Sequence, residues 1–379
     1  MIRYFDMFAG VGGFRAGLTR AGGFACVGHS EIDRYADASY RAIHNPKESE
    51  VFYADARTIE PDDLPDFDLL CGGFPCQAFS LAGKRRGFED GRGTLFFELV
   101  RIAAAKRPPY LLFENVPGIL SHDQGKTFAC ILDTLCELGY GVEWLVLNSK
   151  DHGVPQSRRR VFIVGFLDKR CAGKILPYRE ANPASLVRMA GRKQGYTLYD
   201  SEGLACTQTS NTGGFGGKTG LYFINSYKSD LSIPEKARHN TAGQGHSPID
   251  RKGACLEAGV LRIKEATKKG YKEAGEGDTV NFSYAGSNTR RGRVGRDMAH
   301  TLNTSSSQGV VRQGRIRRLT PRECFRLQGF GEEQIDRILA ITSDTQAYKQ
   351  AGNAVTVNVI EAIGKRLRAV DEGLKAGSV

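Results

Sequence analysis

The stretch Phe67-Asp68-Leu69-Leu70-Cys71-Gly72-Gly73-Phe74-Pro75-Cys76-Gln77-Ala78-Phe79-Ser80 decides the fold of this chain. Its apolar beginning, residues 67–71, predicts a buried parallel strand. Two glycines then allow a sharp turn, and Pro75 restricts the backbone that leads into Cys76. A cysteine on a rigid turn at the carboxyl end of a strand is where an α/β protein exposes a nucleophile. A small buried cysteine in a strand-to-helix turn is the other interpretation, and the stretch alone favours it.

The size and composition of the chain set the outer limits. Its 379 residues are enough for two domains, and 40% hydrophobic residues are enough for a core. No run of 18 apolar residues predicts a membrane span, and the N-terminus lacks the apolar stretch of a signal peptide. Nine cysteines without CxxC spacing indicate reduced thiols in a cytoplasmic protein, and no cysteine–histidine pattern predicts a metal site.

The positive charge is confined to one segment. Residues 184–318 contain 22 lysines and arginines and 11 acids, which accounts for the whole net charge of +11. The same segment holds 20 of the 46 glycines, so its composition differs from that of both flanks. A solvated basic face is the plain interpretation, but an excess confined to one segment indicates a polyanionic partner. Without an amphipathic basic helix, nucleic acid is favoured over a membrane surface.

The N-terminal third predicts a nucleotide-like binding site. Residues 2–8 predict a strand, residues 9–13 a glycine-rich loop and residues 14–21 a helix, the order by which doubly wound folds bind such ligands. The loop is neither GxGxxG nor a P-loop. Glu31 follows a second predicted strand, residues 24–28, and Asp55 follows a third, residues 51–53. Glu31 can accept hydrogen bonds from both ribose hydroxyls, and a ligand role is favoured for both acids over the alternative of helix capping.

Further candidates follow later strands. Residues 110–113 predict a buried strand that leads into Glu114, where partial desolvation would suit a carboxyl group to donate a proton. Capping of the next helix is an equal alternative for Glu114. In Gln156-Ser157-Arg158-Arg159-Arg160, alternate side chains of an extended chain share a face, so Arg158 and Arg160 are expected to point the same way. Residues 81–93 are rich in glycine and charge and predict a mobile loop that closes on an anionic partner.

Six motifs taken in order resemble those of DNA cytosine-5 methyltransferases, particularly the bacterial restriction–modification and prophage enzymes. The resemblance covers residues 1 to about 170 and about 315 to 370, whereas the middle segment lies where that family has its variable target recognition domain. The motifs are Phe8-Ala-Gly-Val-Gly-Gly-Phe14, Gly73-Phe-Pro-Cys-Gln77, Glu114-Asn-Val116, Gln156-Ser-Arg-Arg-Arg160, Arg318-Leu-Thr-Pro-Arg-Glu323 and Gln350-Ala-Gly-Asn-Ala-Val355.

The resemblance implies an α/β fold with a doubly wound, mostly parallel sheet of the class I S-adenosylmethionine-dependent methyltransferase type. It also implies a second, smaller, mostly β and irregular target recognition domain. Residues 1–185 and 345–379 are expected to form the catalytic domain, and residues 186–344 the DNA-binding one. The implied reaction is methyl transfer to C5 of a flipped-out cytosine in double-stranded DNA. Cys76 would attack C6, Glu114 would contact N3, and Arg160 with Arg158 would hold the O2 side of the base.

The resemblance also assigns the binding residues. The cofactor is expected to be S-adenosyl-L-methionine, with S-adenosyl-L-homocysteine as the product, held by Phe8, Gly10, Val11, Gly12, Gly13, Glu31, Ile32, Asp55, Ala56, Pro75, Asn353 and Ala354. The expected DNA contacts come from the loop that follows Cys76 and from the arginine cluster of the middle segment, as Ser80, Lys84, Arg85, Arg92, Arg290, Arg291, Arg293 and Arg296. No metal is implied.

Three rival interpretations remain open. A cytosine-5 tRNA methyltransferase would share the motifs, although a smaller and less basic middle segment is usual there. A catalytically silent DNA-binding homologue would not need the intact set of Cys76, Glu114 and Arg160. A nicotinamide-dependent oxidoreductase would explain the first glycine loop alone. The favoured enzyme is expected to be a cytoplasmic, nucleoid-associated monomer without a membrane partner, and a cognate restriction endonuclease that acts separately is compatible with the sequence.

Overall fold

The computed structural model describes most of the chain: residues 1–75, 95–176, 188–190, 198–200, 221–225, 254–257, 260–283, 287, 289, 291–304, 307–312 and 315–377. Its strands are β1 Ile2–Met7, β2 Phe24–Ser30, β3 Val51–Tyr53, β4 Leu69–Gly73, β5 Tyr110–Asn115, β6 Gly141–Asn148, β7 Gln156–Ser157, β8 Arg159–Phe166, β9 Arg188–Ala190, β10 Leu198–Asp200, β11 Leu221–Asn225, β12 Ala254–Glu257, β13 Val260–Lys264, β14 Tyr271–Ala274, β15 Thr279–Asn281, β16 Val294–Gly295, β17 Ala299–His300, β18 Gln308–Arg312 and β19 Arg315–Arg318. Its helices are α1 Gly13–Ala21, α2 Arg34–His44, α3 Leu95–Lys106, α4 Lys126–Glu137, α5 Pro321–Leu327, α6 Glu332–Ile341, α7 Asp344–Asn353 and α8 Val357–Lys375.

A large sheet dominates the fold, with strand order β3-β2-β1-β4-β5-β8-β6-β11-β10-β9. The pairs β1–β2, β2–β3, β1–β4 and β4–β5 are parallel, and β8 runs antiparallel to β5. The carboxyl ends of β1, β2, β4 and β5 therefore lie at one edge, together with the amino end of β8. We call it the carboxyl edge. The predicted doubly wound, mostly parallel α/β fold is confirmed.

The central strands are buried on both faces. Phe5 of β1 belongs to one apolar cluster with Phe96 of α3 and Phe128 of α4. Tyr4 points to the opposite face, because side chains alternate along a strand, and it lies in the field of Arg15 from α1. Burial on both faces is the reason why these strands read as continuous apolar runs in the sequence.

The chain forms two compact units. The first comprises residues 1–147, 159–228 and 359–379, and the second comprises residues 148–158 and 229–358. The sequence placed the domain boundaries at 185/186 and 344/345 instead. Strands β9–β11 consequently extend the large sheet of the first unit, and α7 belongs to the second. The functions assigned to the two domains stay predictions.

The second unit is the smaller β region. It contains a three-stranded sheet, β12-β13-β14, and a four-stranded sheet, β16-β15-β18-β19, whose pairs are all antiparallel. Its core includes Leu261, Ile263, Val280 and Val311. Helix α5 begins with a capping box, in which Thr320 and Glu323 satisfy each other's amides.

Candidate active site

The carboxyl edge brings together an acid and an arginine that are far apart in the sequence. Glu114 pairs with Phe162 and Asn115 with Val161 in the β5–β8 ladder. Because β8 is antiparallel, Arg160 enters the sheet at the same end at which β5 delivers Glu114. The Nε of Arg160 lies 2.8 Å from Oε1 of Glu114. The sheet register therefore produces the contact between these two predicted catalytic residues.

This ion pair is partly shielded from solvent. The side chain of Arg160 is 13% exposed and that of Glu114 is 14% exposed. Burial lowers the pKa of the Arg160 guanidinium, and the neighbouring Glu114 carboxylate opposes that shift. Nη1 of Arg160 donates to the carbonyl of Arg159 at 2.8 Å. The Arg160 guanidinium still has further N–H groups with which it can bind an oxygen.

Gly73 makes room for the carboxylate. A Cβ built on Gly73 would lie 3.0 Å from Oε2 of Glu114. Any side chain there would therefore push the carboxylate aside. Gly73 pairs with Glu114 in the β4–β5 ladder, so the contact follows directly from the strand order. The close approach of the two strands explains this glycine, whereas the sharp turn predicted at Gly72 and Gly73 is wrong, because both residues lie within β4.

The segment that leads to Cys76 is held by Asn115. Its side-chain amide donates to the carbonyl of Phe74 at 2.8 Å, and its oxygen accepts from the amide of Val116 at 2.8 Å. Asn115 is buried, so neither bond competes freely with water. Pro75 is the last described residue of this segment. The predicted residues of the following stretch lie outside the described residues, namely Cys76, Ser80, Lys84, Arg85 and Arg92.

The glycine-rich loop after β1 has an unusual backbone. Phe8, Gly10 and Gly12 have φ angles of +54°, +56° and +79°. Glycine adopts such angles readily, but Phe8 is strained, a feature that concentrates at functional sites. The amide of Ala9 donates to the carbonyl of Ser30 at 3.0 Å, which ties the loop to the end of β2. Val11 is buried, and Gly13 begins α1.

Glu31 joins the same loop. Its Oε2 accepts from the amide of Gly10 at 2.7 Å, and its Oε1 accepts from the amide of Asp33 at 2.8 Å. Burial raises the pKa of the Glu31 carboxyl group, although the two amides act in the opposite direction. The next side chain, Ile32, is 70% exposed beside this acid. The structure thus places a carboxylate and an exposed apolar surface next to the glycine-rich loop.

Helix α2 packs against the glycine-rich loop through His44 and Tyr40, which the sequence analysis did not identify. Nε2 of His44 lies 3.1 Å from the carbonyl of Gly12. A Cβ on Gly12 would lie 2.2 Å from that nitrogen, so the backbone rests directly on the ring. Burial lowers the pKa of His44 to about 3, which leaves a neutral ring whose Nε2 carries the proton it donates. The spacing of Tyr40 and His44 by one helical turn is the only signal that the sequence offered.

Asp55 occupies the alternative role that the sequence left open. Its carboxylate accepts from the amide of Arg57 at 3.0 Å and pairs with the Arg57 side chain at 2.6 Å, which caps a short 3-10 turn. The hydrogen bonds from Arg57 lower the pKa of Asp55. Ala56 is buried in that turn.

Arg158 and Arg160 differ sharply in their contacts. Arg158 is 2% exposed, and its guanidinium donates to the carbonyls of Leu302, Gly352 and Ala354 at 2.8–3.1 Å. These contacts fix the end of α7 around Asn353, entirely within the second unit. The expected common orientation with Arg160 is absent, because Arg158 lies between β7 and β8 rather than inside one strand. This environment favours a positioning role for Arg158 over a direct contact with a base.

The arginine cluster of the second unit is only partly available to a partner. Arg291 and Arg296 are exposed, whereas Arg293 is 3% exposed and donates to the carbonyl of Ser287 at 3.3 Å. A buried side chain cannot reach a phosphate, so we omit Arg293 from the DNA contacts proposed below. Arg290 lies outside the described residues.

The described residues contain neither a candidate metal site nor a candidate membrane-spanning helix. No group of three or more histidine, cysteine or acidic side chains is arranged to hold a metal ion there. Within the same residues, no helix is both long and apolar enough to cross a membrane.

Comparison with known proteins identifies the family. The model of the C-5 cytosine-specific DNA methylases matches residues 2–369. The Type II methyltransferase M.HhaI of Haemophilus parahaemolyticus is 32% identical over 370 residues, covering 96% of this chain and 93% of that protein. The orphan methyltransferase M.SPRI of Bacillus phage SPR is 32% identical over 445 residues, covering 97% of each.

A solved structure shares the fold. It is that of a prophage-encoded Escherichia coli protein, a candidate DNA modification methyltransferase, with a TM-score of 0.57 and 21% identity. The match covers 98% of this chain and all of the other. This structural match supports the overall fold described above. The chain belongs to the C-5 cytosine-specific DNA methylase family and is a DNA cytosine-5 methyltransferase.

Proposed function

We propose that this enzyme transfers a methyl group from S-adenosyl-L-methionine to C5 of a cytosine within a short sequence of double-stranded DNA. The observation that carries the proposal is the Glu114–Arg160 pair at the carboxyl edge, next to the segment that delivers Cys76. An arginine and an acid that takes up a proton, side by side, match the polar edge of a cytosine ring, which presents N3 and O2 as neighbouring acceptors.

The residues around the glycine-rich loop suit a ribosyl–adenine ligand. A carboxylate at the end of β2 can accept hydrogen bonds from ribose hydroxyls, and the exposed Ile32 offers an apolar face to a purine. Nothing lies within 4 Å of the position that a Cβ on Gly10 would occupy, which leaves space for a ligand against the loop. When bound, S-adenosyl-L-methionine supplies an electrophilic methyl group. Asp55, Asn353 and Ala354 stay within the proposed binding set, with Val11, Gly13, Ala56 and Pro75 shaping its walls.

The chemistry begins with the nucleophile. The Cys76 thiolate adds to C6 of the cytosine, and the electrons of the C5–C6 double bond make C5 nucleophilic. C5 would then form a bond to the methyl group as the methyl–sulfur bond breaks and S-adenosyl-L-homocysteine leaves. Loss of the C5 proton to a base would re-form the C5–C6 double bond and expel the Cys76 thiolate. The base must leave the duplex stack for this attack, because C6 is inaccessible within it.

Glu114 and Arg160 stabilise the ring during the addition. Glu114 holds a proton at N3, where negative charge accumulates, and Arg160 donates to O2. The ion pair fixes both side chains before the base arrives, so little reorganisation is needed during the reaction. Arg158 supports the turn around Asn353 instead of touching the base.

The remaining partners follow from this role. Residues 80–93 would close over the flipped base, with Ser80, Lys84, Arg85 and Arg92 towards DNA, and Arg290, Arg291 and Arg296 of the second unit would contact the duplex. The enzyme would act as a cytoplasmic monomer at the nucleoid. A separate restriction endonuclease is compatible with the Type II relatives, and its absence is compatible with the orphan phage relatives.

The test combines a variant with a map of the product. Wild-type protein with radiolabelled S-adenosyl-L-methionine should label duplex DNA, and bisulfite sequencing should find 5-methylcytosine at one short sequence. Cys76→Ala should abolish labelling while DNA binding persists. Labelling of tRNA instead of DNA would show that the substrate is RNA. Full activity of Cys76→Ala would contradict the covalent step.

A further inference from the structure

Two segments of the second unit are joined by a buried carboxylate. The first is the tip of the β13–β14 hairpin, residues 264–270, and the second is residues 291–296, which include β16. Glu265 is 5% exposed. Its carboxylate accepts from three consecutive amides of the second segment, those of Gly292, Arg293 and Val294, at 3.2, 2.6 and 3.2 Å. One side chain therefore fixes the backbone of residues 292–294 against the hairpin.

Two basic side chains strengthen this junction. Nε of Arg291 donates to the carbonyl of Ala266 at 2.7 Å, and Nζ of Lys272 donates to the carbonyl of Val294 at 3.2 Å. The links therefore run in both directions between the segments. They join the two segments into a single surface. The backbone positions from which its charged side chains extend are therefore fixed.

The exposed charged side chains of residues 264–272 and 291–296 are all basic, and the next exposed acids along the chain are Glu273 and Asp297. Among residues 264–272 the single acid is Glu265, and its carboxylate is turned inward to the amides. The hairpin acids outside the tip, Glu273 and Glu276, follow on β14 and beyond it. We call the exposed cations the basic ridge, which consists of Lys264, Lys268, Lys269, Arg291 and Arg296.

The composition of the ridge indicates phosphate as its partner. A membrane-binding surface would add exposed apolar side chains, and the large hydrophobic residues exposed in the described chain include none from either segment. Three of the five cations are lysines, which act as point charges, whereas reading guanine usually employs the arginine fork. Backbone contacts of this kind orient a protein on DNA without reading its sequence.

We propose that the basic ridge binds the phosphate backbone of duplex DNA and that Glu265 holds its two halves together. This inference rests on the proposed function and adds a surface to it. The three lysines take part in orienting the second unit along the duplex. They leave the choice of the methylated sequence to other residues.

The test compares two triple variants of the full-length enzyme. Lys264→Gln, Lys268→Gln and Lys269→Gln remove three ridge charges. The control, Lys47→Gln, Lys169→Gln and Lys174→Gln, removes three exposed lysines at the edge of the large sheet opposite the carboxyl edge. Binding to a 30-base-pair duplex would be measured from 50 to 300 mM NaCl, and both proteins should melt at the temperature of the wild type.

The ridge variant should bind about 10- to 100-fold more weakly at low salt, and the slope of log Kd against log salt should fall by about 2–3, since each phosphate contact contributes about 0.9. The control should keep the wild-type slope. An unchanged slope in the ridge variant, or an equal loss in the control, would overturn the inference. A changed methylation sequence would also overturn it, because the ridge would then read bases.

The proposed function has a separate readout in the same experiment. Wild-type enzyme that labels DNA while the ridge variant keeps its salt dependence would leave the function intact and reject the ridge. Wild-type enzyme that neither binds nor labels DNA would reject both.

Discussion

Arg158 and Arg160 are two residues apart, yet the fold uses them in opposite ways. Arg160 remains 13% exposed at the carboxyl edge and pairs with Glu114. Arg158 is buried and donates to three main-chain carbonyls within the second unit. The first has donors left for a substrate, and the second uses its donors to complete the fold. The difference teaches that a basic motif can combine an arginine with donors at the carboxyl edge and an arginine that serves the fold alone.

The largest expected effect concerns the reactive arginine. Arg160→Ala should lower kcat by about 10²- to 10³-fold, because a donor to the developing charge of the ring is lost. Its affinity for S-adenosyl-L-homocysteine should change little. Steady-state methylation measures kcat, and calorimetric titration measures the affinity.

The matched control for that variant is Arg159→Ala. Arg159 is the exposed neighbour on the same strand, and its loss should leave kcat within about twofold, as expected for a surface substitution. Equal losses for residues 159 and 160 would mean that general positive charge, and not the pair with Glu114, supports catalysis.

The second effect concerns the structural arginine. Arg158→Ala should lower the unfolding free energy by about 3–5 kcal/mol, because three buried carbonyls lose their donor. Arg158→Lys should lose less, and the fraction that stays folded should keep a kcat near that of the wild type. Urea denaturation combined with activity per folded molecule separates the two quantities. A stable Arg158→Ala enzyme without activity would contradict the contrast.

A buried acid on β1, the strand that leads into the glycine-rich loop, extends the comparison. Asp6 is fully buried, and burial raises its pKa from 3.8 to about 7. An acid whose pKa is raised by folding stabilises the protein fully below its unfolded pKa, and this contribution is lost as pH rises through the folded value.

The corresponding variant is Asp6→Asn, which is neutral at every pH. Relative to this variant, the wild type should lose about 2–3 kcal/mol of stability between pH 5 and pH 8, at about 1.4 kcal/mol for each pH unit up to the folded pKa of about 7 and with little further loss above it. Denaturation of both proteins at the two pH values measures the change. A difference that does not vary with pH would place the pKa of Asp6 outside the window.

The smallest effect concerns the ring beneath Gly12. His44→Phe keeps an aromatic ring but removes the donor to the Gly12 carbonyl, so S-adenosyl-L-homocysteine should bind about 5- to 10-fold more weakly, an effect of about 1 kcal/mol. His44→Gln should recover part of the loss, since its amide can donate. Weakening should be equal from pH 6 to pH 9, because the pKa of His44, about 3, keeps the ring neutral there. A pH-dependent loss would argue against this positioning role.

Local patterns in the sequence predicted much of the fold. The strand, loop and helix at residues 2–21 follow from apolar runs and glycines, which act over short distances. Gly72 and Gly73 were predicted to form a turn, but they extend β4 beside β5. The contact between Glu114 and Arg160 depends on β8 pairing antiparallel to β5, a register set by tertiary packing. Alternation predicted a common face for Arg158 and Arg160, but the backbone break between β7 and β8 removes the premise.

Burial was the quantity that the sequence could not supply. Arg293 looked like its exposed neighbours in a run of arginines and glycines, yet Glu265, 28 residues earlier, draws that segment inward. His44 carried no motif, and its role depends on the distance between α2 and the loop. Asp55 follows a strand, where the sequence predicted a ligand contact, but its carboxylate pairs with Arg57.

The most direct test is trapping of the covalent intermediate. Duplex DNA with 5-fluorocytosine at the methylated position cannot lose its C5 substituent as a proton, so the Cys76 adduct should accumulate with S-adenosyl-L-methionine and wild-type enzyme. At equal folded concentration, Arg158→Lys should form the adduct at the wild-type rate and Arg160→Lys at least about 10-fold more slowly, since it lacks the arginine fork. Fast trapping by Arg160→Lys with slow trapping by Arg158→Lys would contradict the account.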